Sequence, residues 1–521
     1  MRTYFFIIAM LSGVLSYSQK LNSLDLGVCD TIPKSLYSKR YLKKLSIRNS
    51  MGYCHSPVKV LSSKIAKLKA LESLTYESSY NFAPLPPEVK KLKHLTHLST
   101  SDIIVEISEI TSLLSLKISV NSAKELDDLK ALSFEKLVNL ESLAISFRGD
   151  LKIAGNEKIL NGLDQLKRLK NLYLFNVNAE ILEQLPSIKS LTTINLNGVL
   201  GKKMIDFGKY PSLDTLLISR ADDFRVIPSS FYQLKNLSKL TIRSSGVESF
   251  PEGISALKNL RHLELNFNKL QGLPEDITEL KYLEILSLGR NFNLKKLPES
   301  IGNLTSLKRL VANSCQISHL PESITQLKNL EILFLSVNDL TELPTNWSNM
   351  ASLKVLNLER NQLAKIPEGI LQIESLEALS LNNNKLDSTN FMNQTMPIAG
   401  LVNLKKFSVQ YNQLQALPHD IGSLKNLEDL NIYYNQITEL PRSIIKLGKL
   451  NSLSMGHNKV SEFPEGMEGL KIYEFSFHTN AFKSGQDIRA HFPKVKRTWT
   501  DKEFEEELSK SPKLAKEVYF R

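Results

Sequence analysis

The chain has 521 residues, 42% of them hydrophobic and 23% charged, with a formal net charge of +12 and three cysteines. The apolar fraction excludes a disordered chain, and so few cysteines exclude a disulfide-dense scaffold or a multi-cysteine metal framework. This length admits either several ordinary domains or one long repeat array.

At the N-terminus, Arg2 precedes an apolar run from Tyr4 to Leu15 that only Ser12 and Gly13 interrupt, and small residues Ser16 and Ser18 stand before Gln19. This is the arrangement of a secretory signal peptide, and the run is short for a bilayer span. Residues 1–18 are therefore expected to be removed. The mature chain is then exported (secreted, periplasmic or cell-surface) with no integral membrane segment. Residues 19–60 read as an N-terminal cap with a first degenerate repeat, flanked by Cys29 and Cys54. In an oxidising compartment these two either close the cap as a disulfide or remain thiols.

Leucines then open successive segments at Leu42, Leu71, Leu95, Leu113, Leu140, Leu169, Leu191 and Leu213, with spacings from 18 to 29. Beyond them the spacing becomes regular. Prolines recur at Pro228, Pro251, Pro274, Pro298, Pro321, Pro344 and Pro367, then at Pro418, Pro441 and Pro464, with a step of 23 broken once by 24 and once by 51. One repeat runs Leu260-Arg261-His262-Leu263-Glu264-Leu265-Asn266-Phe267-Asn268-Lys269-Leu270 and closes on Leu273-Pro274 and Ile277. Taking its first leucine as position one, residues four and six alternate inward on a short strand while the polar residues between them face out. A single repeat cannot bury its leucines, but a stack of them makes a continuous core.

The frame resembles the leucine-rich repeat pattern L-x-x-L-x-L-x-x-N-x-L-x-x-L-P-x-x-I-x-x-L. Its Leu-Pro arm is similar to the subclass of Scribble-like and Ras-binding repeat proteins, which also occurs in many exported bacterial proteins. The resemblance implies an α/β repeat solenoid, a curved horseshoe with a parallel concave sheet and short helical or irregular convex arms. On that basis residues 61–212 are degenerate repeats, 213–482 regular repeats and 483–521 a C-terminal cap. A capping-box signature from Thr500 to Glu503 predicts a helix in that cap. No flexible linker separates the two stretches, which are expected to form one array. One arm, between Asp387 and Pro397, carries five extra residues.

Position nine is an asparagine column: Asn268, Asn291, Asn338, Asn361, Asn384, Asn412, Asn435, Asn458 and Asn480. A buried amide there can pair with backbone groups that the turn leaves unsatisfied. Cys315 stands in the same column and is read as a buried ladder residue rather than a reactive thiol.

Motifs for catalysis are missing. The sequence has no phosphate-binding loop, paired-histidine zinc motif, nucleophile elbow or Cys-x-x-Cys. The expectation is a non-enzyme without cofactor or metal. An unrecognised activity in the degenerate N-terminal half is the alternative. His457 and His478 fall in adjacent repeats near one column, but no third ligand accompanies them, so they read as exposed surface histidines.

Positions seven and eight are taken to lie on the exposed strand face. There Tyr411, Tyr433, Tyr434, His457 and His478 make an aromatic and imidazole band, with Asn382, Asn383, Phe267, Arg290 and Arg360 at equivalent positions of other repeats. Aromatic anchors among adaptable amides and serines suit a recognition surface. A protein partner is expected on the concave face, with a surface adhesin or glycan binder as the alternative. Lysines such as Lys308, Lys354 and Lys405 recur before the strands and glutamates such as Glu275, Glu299 and Glu322 in the arms. No contiguous basic stripe results, which argues against nucleic acid.

Overall fold

The computed structural model describes residues 22–27, 32–49, 61–78, 85–148, 158–201, 205–221, 224–250, 252–388 and 398–482, together with 492, 495 and 497–499. The signal segment, Cys29, Cys54, most of the lengthened arm and the capping-box stretch lie outside the described residues. The chain divides into two bodies, one ending at Asp223 and one beginning at Phe224.

In the first body the strands are β1 (Ser23–Gly27), β2 (Lys44–Asn49), β3 (Ser73–Ser78), β4 (His97–Thr100), β5 (Ser115–Val120), β6 (Ser142–Phe147), β7 (Asn171–Phe175), β8 (Thr193–Asn197) and β9 (Thr215–Ser219). Each pairs in parallel with the next. Strand β1 lies ahead of Leu42, inside the segment read as a cap, with Leu24 and Leu26 in register with Leu45 and Ile47. The return arms are mostly single helical turns, and two are α-helices: α1 (Ala123–Ala131) and α2 (Ala179–Glu183). Both start on a side-chain cap. Ser122 Oγ accepts from the Glu125 amide at 3.2 Å, and Asn178 Oδ1 from the Ile181 amide at 3.1 Å.

The second body continues the numbering with β10 (Lys239–Arg243), β11 (His262–Glu264), β12 (Ile285–Ser287), β13 (Arg309–Val311), β14 (Ile332–Phe334), β15 (Val355–Asn357), β16 (Ala378–Ser380), β17 (Lys406–Ser408), β18 (Asp429–Asn431), β19 (Ser452–Ser454), β20 (Glu474–Ser476) and β21 (Arg497–Trp499). These too pair in parallel, one after another. Leucines at positions one, four, six and eleven, such as Leu353, Leu356, Leu358 and Leu363, have no exposure at all. The C-terminal cover begins with β21, a further strand on β20, and with Phe492. Phe463 meets Phe475, Phe482 and Phe492 at centroid distances of 5.8, 4.7 and 5.0 Å, so packed rings close this end of the core.

The asparagine column closes the turns that follow the short strands of the second body. Asn361 Nδ2 donates to Leu358 O at 2.9 Å in its own repeat and to Leu335 O at 3.0 Å in the preceding one. Its Oδ1 accepts from the Leu340 amide at 3.1 Å. Asn338, Asn384, Asn412, Asn435, Asn458 and Asn480 repeat this pattern. Where these bonds form the chain turns sharply at position eight. In β2, β3, β5 and β6 the strand runs on through position eight, although β5 has Asn121 at position nine. Asn176, Arg220 and Ser244 turn left-handed at position eight with Val177, Ala221 and Ser245 after them. In β5 and β6, Val120 and Phe147 turn inward and are buried.

Cys315 breaks the column for a reason visible in its neighbour. The preceding repeat is the one with a step of 24, its extra residue falling between Asn291 and Leu294. That residue lets the Leu294 amide bond to Asn291 O at 3.0 Å, so no side-chain oxygen is needed at 315. The Cys315 thiol instead points at Leu288 O, 3.5 Å away, and burial pushes its pKa up to about 11. Asn361→Ala is expected to cost about 2–4 kcal/mol, because it strands buried backbone groups. Cys315→Ala should cost on the order of 1 kcal/mol. Urea unfolding of the two variants compares them, and equal costs would refute this account of the exception.

Position two carries a ladder that spacing alone did not reveal. Arg261, Glu284, Lys308, Glu331, Lys354, Glu377, Lys405 and Glu428 alternate in sign across consecutive repeats. Glu284 takes both Arg261 and Lys308 at 2.9 Å, and Lys354–Glu331 and Lys405–Glu377 each measure 2.8 Å. The lysines thus pair along the column, not with the arm glutamates. Their cations hold the Glu284, Glu331 and Glu377 carboxyls below the usual range, and the glutamates raise Lys354 and Lys405. A lowered carboxyl contributes stability above its unfolded pKa and loses it as pH falls through the folded value. A raised lysine loses its share as pH rises through its folded value. Being exposed, the ladder is salt-screened. Lys354→Glu, which sets three carboxylates in a row, should lower the melting temperature at low ionic strength. The deficit should shrink in molar salt, where the screening length is about 3 Å. A salt-independent deficit would point to some other cause.

Candidate functional site

Position eight is a turn residue rather than part of the strand. Phe267, Arg290, Ser314, Val337, Arg360, Asn383, Tyr411, Tyr434 and His457 all adopt left-handed backbone, with φ between 54° and 60°. For residues other than glycine this conformation is costly, about 1–2 kcal/mol each. Lateral bonds hold it in place: the Tyr411 amide donates to Tyr433 O and the Tyr434 amide to Gly456 O, both at 2.9 Å. The turn throws the position-eight side chains to the rim of the sheet face, one above the next.

Five of the ten residues singled out in the sequence come together there. Tyr411 and Tyr434, both at position eight, stack at 4.8 Å with planes 26° apart. His457 continues the stack, 5.2 Å from Tyr434 and tilted by 33°. From position seven, Tyr433 meets Tyr411 edge-on at 5.6 Å and His457 edge-on at 5.2 Å. His478 closes the group, 5.6 Å from Tyr433 and 5.1 Å from His457. Tyr434 is the most open of them, at 51% exposure.

His478 corrects the expectation of two surface histidines, since it is only 3% exposed. Its ring fits over Gly456, where a Cβ would stand 2.8 Å from Nε2, and its Nδ1 lies 3.4 Å from Thr479 Oγ1. A glycine at position seven makes room for the position-seven side chain of the next repeat. Gly289 does the same for Asn313, whose Oδ1 would sit 2.7 Å from a Cβ. His478 is thus a support for the band, held from beneath. Among the described residues no group of three His, Cys, Asp or Glu side chains is placed to hold a metal ion.

The remaining five are not members of the ring cluster, although Asn382 and Asn383 lie in the repeat next to Tyr411. Asn382 is buried, and its Oδ1 accepts from the Gln410 amide at 3.1 Å and from Ser408 Oγ at 2.5 Å. It organises the floor of the sheet rather than facing outward. Asn431 does likewise, donating to Gln410 Oε1 at 3.0 Å and accepting from the Tyr433 amide at 3.1 Å. Asn383 has a buried Nδ2 with no hydrogen-bond partner among the described residues. Phe267 carries the Arg290 guanidinium over its ring at 5.0 Å, and Arg360 Nε lies 3.6 Å from Glu359. Phe267 and Tyr411 belong to the repeats of β11 and β17, well separated along the sheet.

Position three was missed by the sequence reading, which considered only positions five, seven and eight. Strand alternation turns Ile285, Arg309, Ile332 and Val355 to the same face. The signal was available, since three and five have the same parity.

Stacked parallel strands, inward leucines and an asparagine-closed turn define a repeat solenoid with one decorated sheet face. The chain belongs to the leucine-rich repeat family. A model described as a leucine-rich repeat region matches residues 7–212, and a leucine rich repeat model matches 328–386 and 402–460, together well over half of the chain. No curated protein sequence matches it. Among solved structures, a leucine-rich repeat protein of Leptospira interrogans is 25% identical with a TM-score of 0.50, covering 92% of this chain and 95% of that one. The Toll–Spatzle complex of Drosophila gives a TM-score of 0.57 at 16% identity, over 88% of this chain and 64% of that one. The ectodomain of the Arabidopsis receptor kinase HAESA gives 0.50 at 19% identity, over 90% and 81%. At such identity the last two share the fold alone. Among the described residues no helix is long and apolar enough to cross a membrane.

Gly456→Ala should drive the His478 ring off its seat and destabilise the chain by about 1–3 kcal/mol. In a His478→Ala background the same change should cost little. Thermal melts of the four chains of this cycle measure the coupling. Additive costs would show that Gly456 is not there for the histidine.

Proposed function

We propose that this protein is an exported binding module of the Leu-Pro repeat subclass that takes a protein partner on the sheet face of its second body. Tyr411, Tyr433, Tyr434 and His457 are its anchors, and His478 holds them in place. The observation that carries this reading is the contiguity of the five rings, each within 6 Å of at least two others. Rings fixed before the partner arrives lose little entropy on binding. The amide floor beneath them is already hydrogen-bonded, which keeps the platform rigid. No chemical step is required of it.

A protein suits the geometry better than a glycan does. Sugars pack on open ring faces, whereas Tyr411, Tyr434 and His457 cover one another's faces and present edges, hydroxyls and imidazole nitrogens. Such edges suit the mixed polar and apolar surface of a polypeptide. Two of the structural neighbours, Toll with Spatzle and HAESA with the peptide hormone IDA, hold a protein or a peptide. The apolar leader at residues 1–18 supports export.

Replacing Tyr433 and Tyr434 together by alanine is expected to weaken binding to a partner isolated by pull-down by about 2 kcal/mol or more. Calorimetric titration of both chains decides it, and unchanged affinity would remove the aromatic band from the interface.

A further inference from the structure

The middle of the same sheet face carries a second surface of different chemistry. Ile285, Arg309, Ile332 and Val355 occupy position three of adjacent strands and pair laterally from β12 to β15. Val311 and Phe334 lie beside them at position five. Ile285, Ile332, Phe334 and Val355 are each only half-buried, so a continuous apolar floor remains open to a partner. Arg309 stands in the middle of it. Its guanidinium lies 5.0 Å over the Phe334 ring, and no carboxylate of the described residues is within ion-pair distance. Arg261 by contrast meets Glu284 at 2.9 Å and Arg442 meets Glu465 at 3.0 Å, while Arg290 lies over the Phe267 ring at 5.0 Å in the same way as Arg309 but at position eight, off the apolar floor.

An arginine held flat on an aromatic face keeps its edge donors free for a planar acceptor. We propose that the floor of β12 to β15 docks an apolar segment of the partner protein that carries a carboxylate, and that this carboxylate pairs with Arg309. The proposal rests on the reading that this sheet face binds protein. Charge complementarity chooses the occupant. A polyanion would need several such cations in a row, and the neighbouring position-three residues are aliphatic. A second copy docked by two-fold symmetry through this patch would set Arg309 against its own counterpart.

A display library of random linear peptides, panned against the full chain, supplies the test. The expected consensus is an Asp or Glu flanked by aliphatic or aromatic residues. Its affinity should fall roughly tenfold or more in Arg309→Glu, and peptides with Lys in place of the acid should regain it. Phe334→Ala, which keeps the charge but removes its platform, should weaken the same peptides, with melting curves confirming that both variants fold. Three results overturn the proposal: no enrichment, a consensus without an acid, or an acidic consensus indifferent to Arg309→Glu. Self-association that disappears in Arg309→Glu would assign the patch to a second copy and also overturn it. Peptides that depend on Tyr433 and Tyr434 but not on Arg309 would end this inference and leave the proposed function standing. Peptides that depend on neither would end both.

Discussion

A side-chain amide at position nine is the contact on which the rest of the second body depends. A parallel strand that stops after three residues leaves carbonyls and an amide facing into the core, and such groups are costly unless paired. The asparagine pairs them within its own repeat and with the repeat before, so every turn is tied to its neighbour. Once the turn is closed, position eight is left-handed whatever residue stands there, valine and tyrosine included. The stacked rings are a consequence. Identical backbone at every rung brings Tyr411, Tyr434 and His457 into one file at near strand spacing.

The first body shows the same column in both forms, left-handed at Asn176, Gly198 and Arg220 and extended in β2, β3, β5 and β6. In β5 and β6 the strand runs through position eight, and Val120 and Phe147 become core residues. One sequence column therefore does two jobs, a core position where the strand is long and a left-handed turn where it is short. Cys315 shows the rule from the other side, since a single inserted residue in the preceding repeat supplies the missing pairing through the backbone.

What could be read in advance follows from this. The period, the inward leucines and the asparagine column are one-dimensional signals, and they were enough to give the repeat class and to single out the five rings. Placing position eight on the strand was an error of local geometry, because nothing in a tyrosine announces a left-handed backbone. The burial of His478 was hidden for a related reason. It depends on a glycine 22 residues earlier in the chain, and only the stacking of repeats brings them together. The alternating charges at position two and the Arg309–Phe334 contact are also lateral relations. They become visible when the sequence is read down its columns instead of along its rows.

Reading by column also shows why the sheet face can specialise. Positions four, six and nine are fixed by the core and the turn, so they carry no freedom for recognition. Position two is committed to charge alternation, which resists a slip of one repeat because like charges would then meet. Positions three, five and seven face outward and touch the fold only through their lateral neighbours. They vary from Ile332 and Phe334 in the middle of the second body to Ser454 and Gly456 near its end without changing the strand. Position eight lies between these cases, its backbone set by the turn and its side chain open to choice. A surface built from these columns acquires aromatic, apolar and cationic patches at little cost to stability, which is why the proposed recognition surface is drawn on the sheet face and not on the arms.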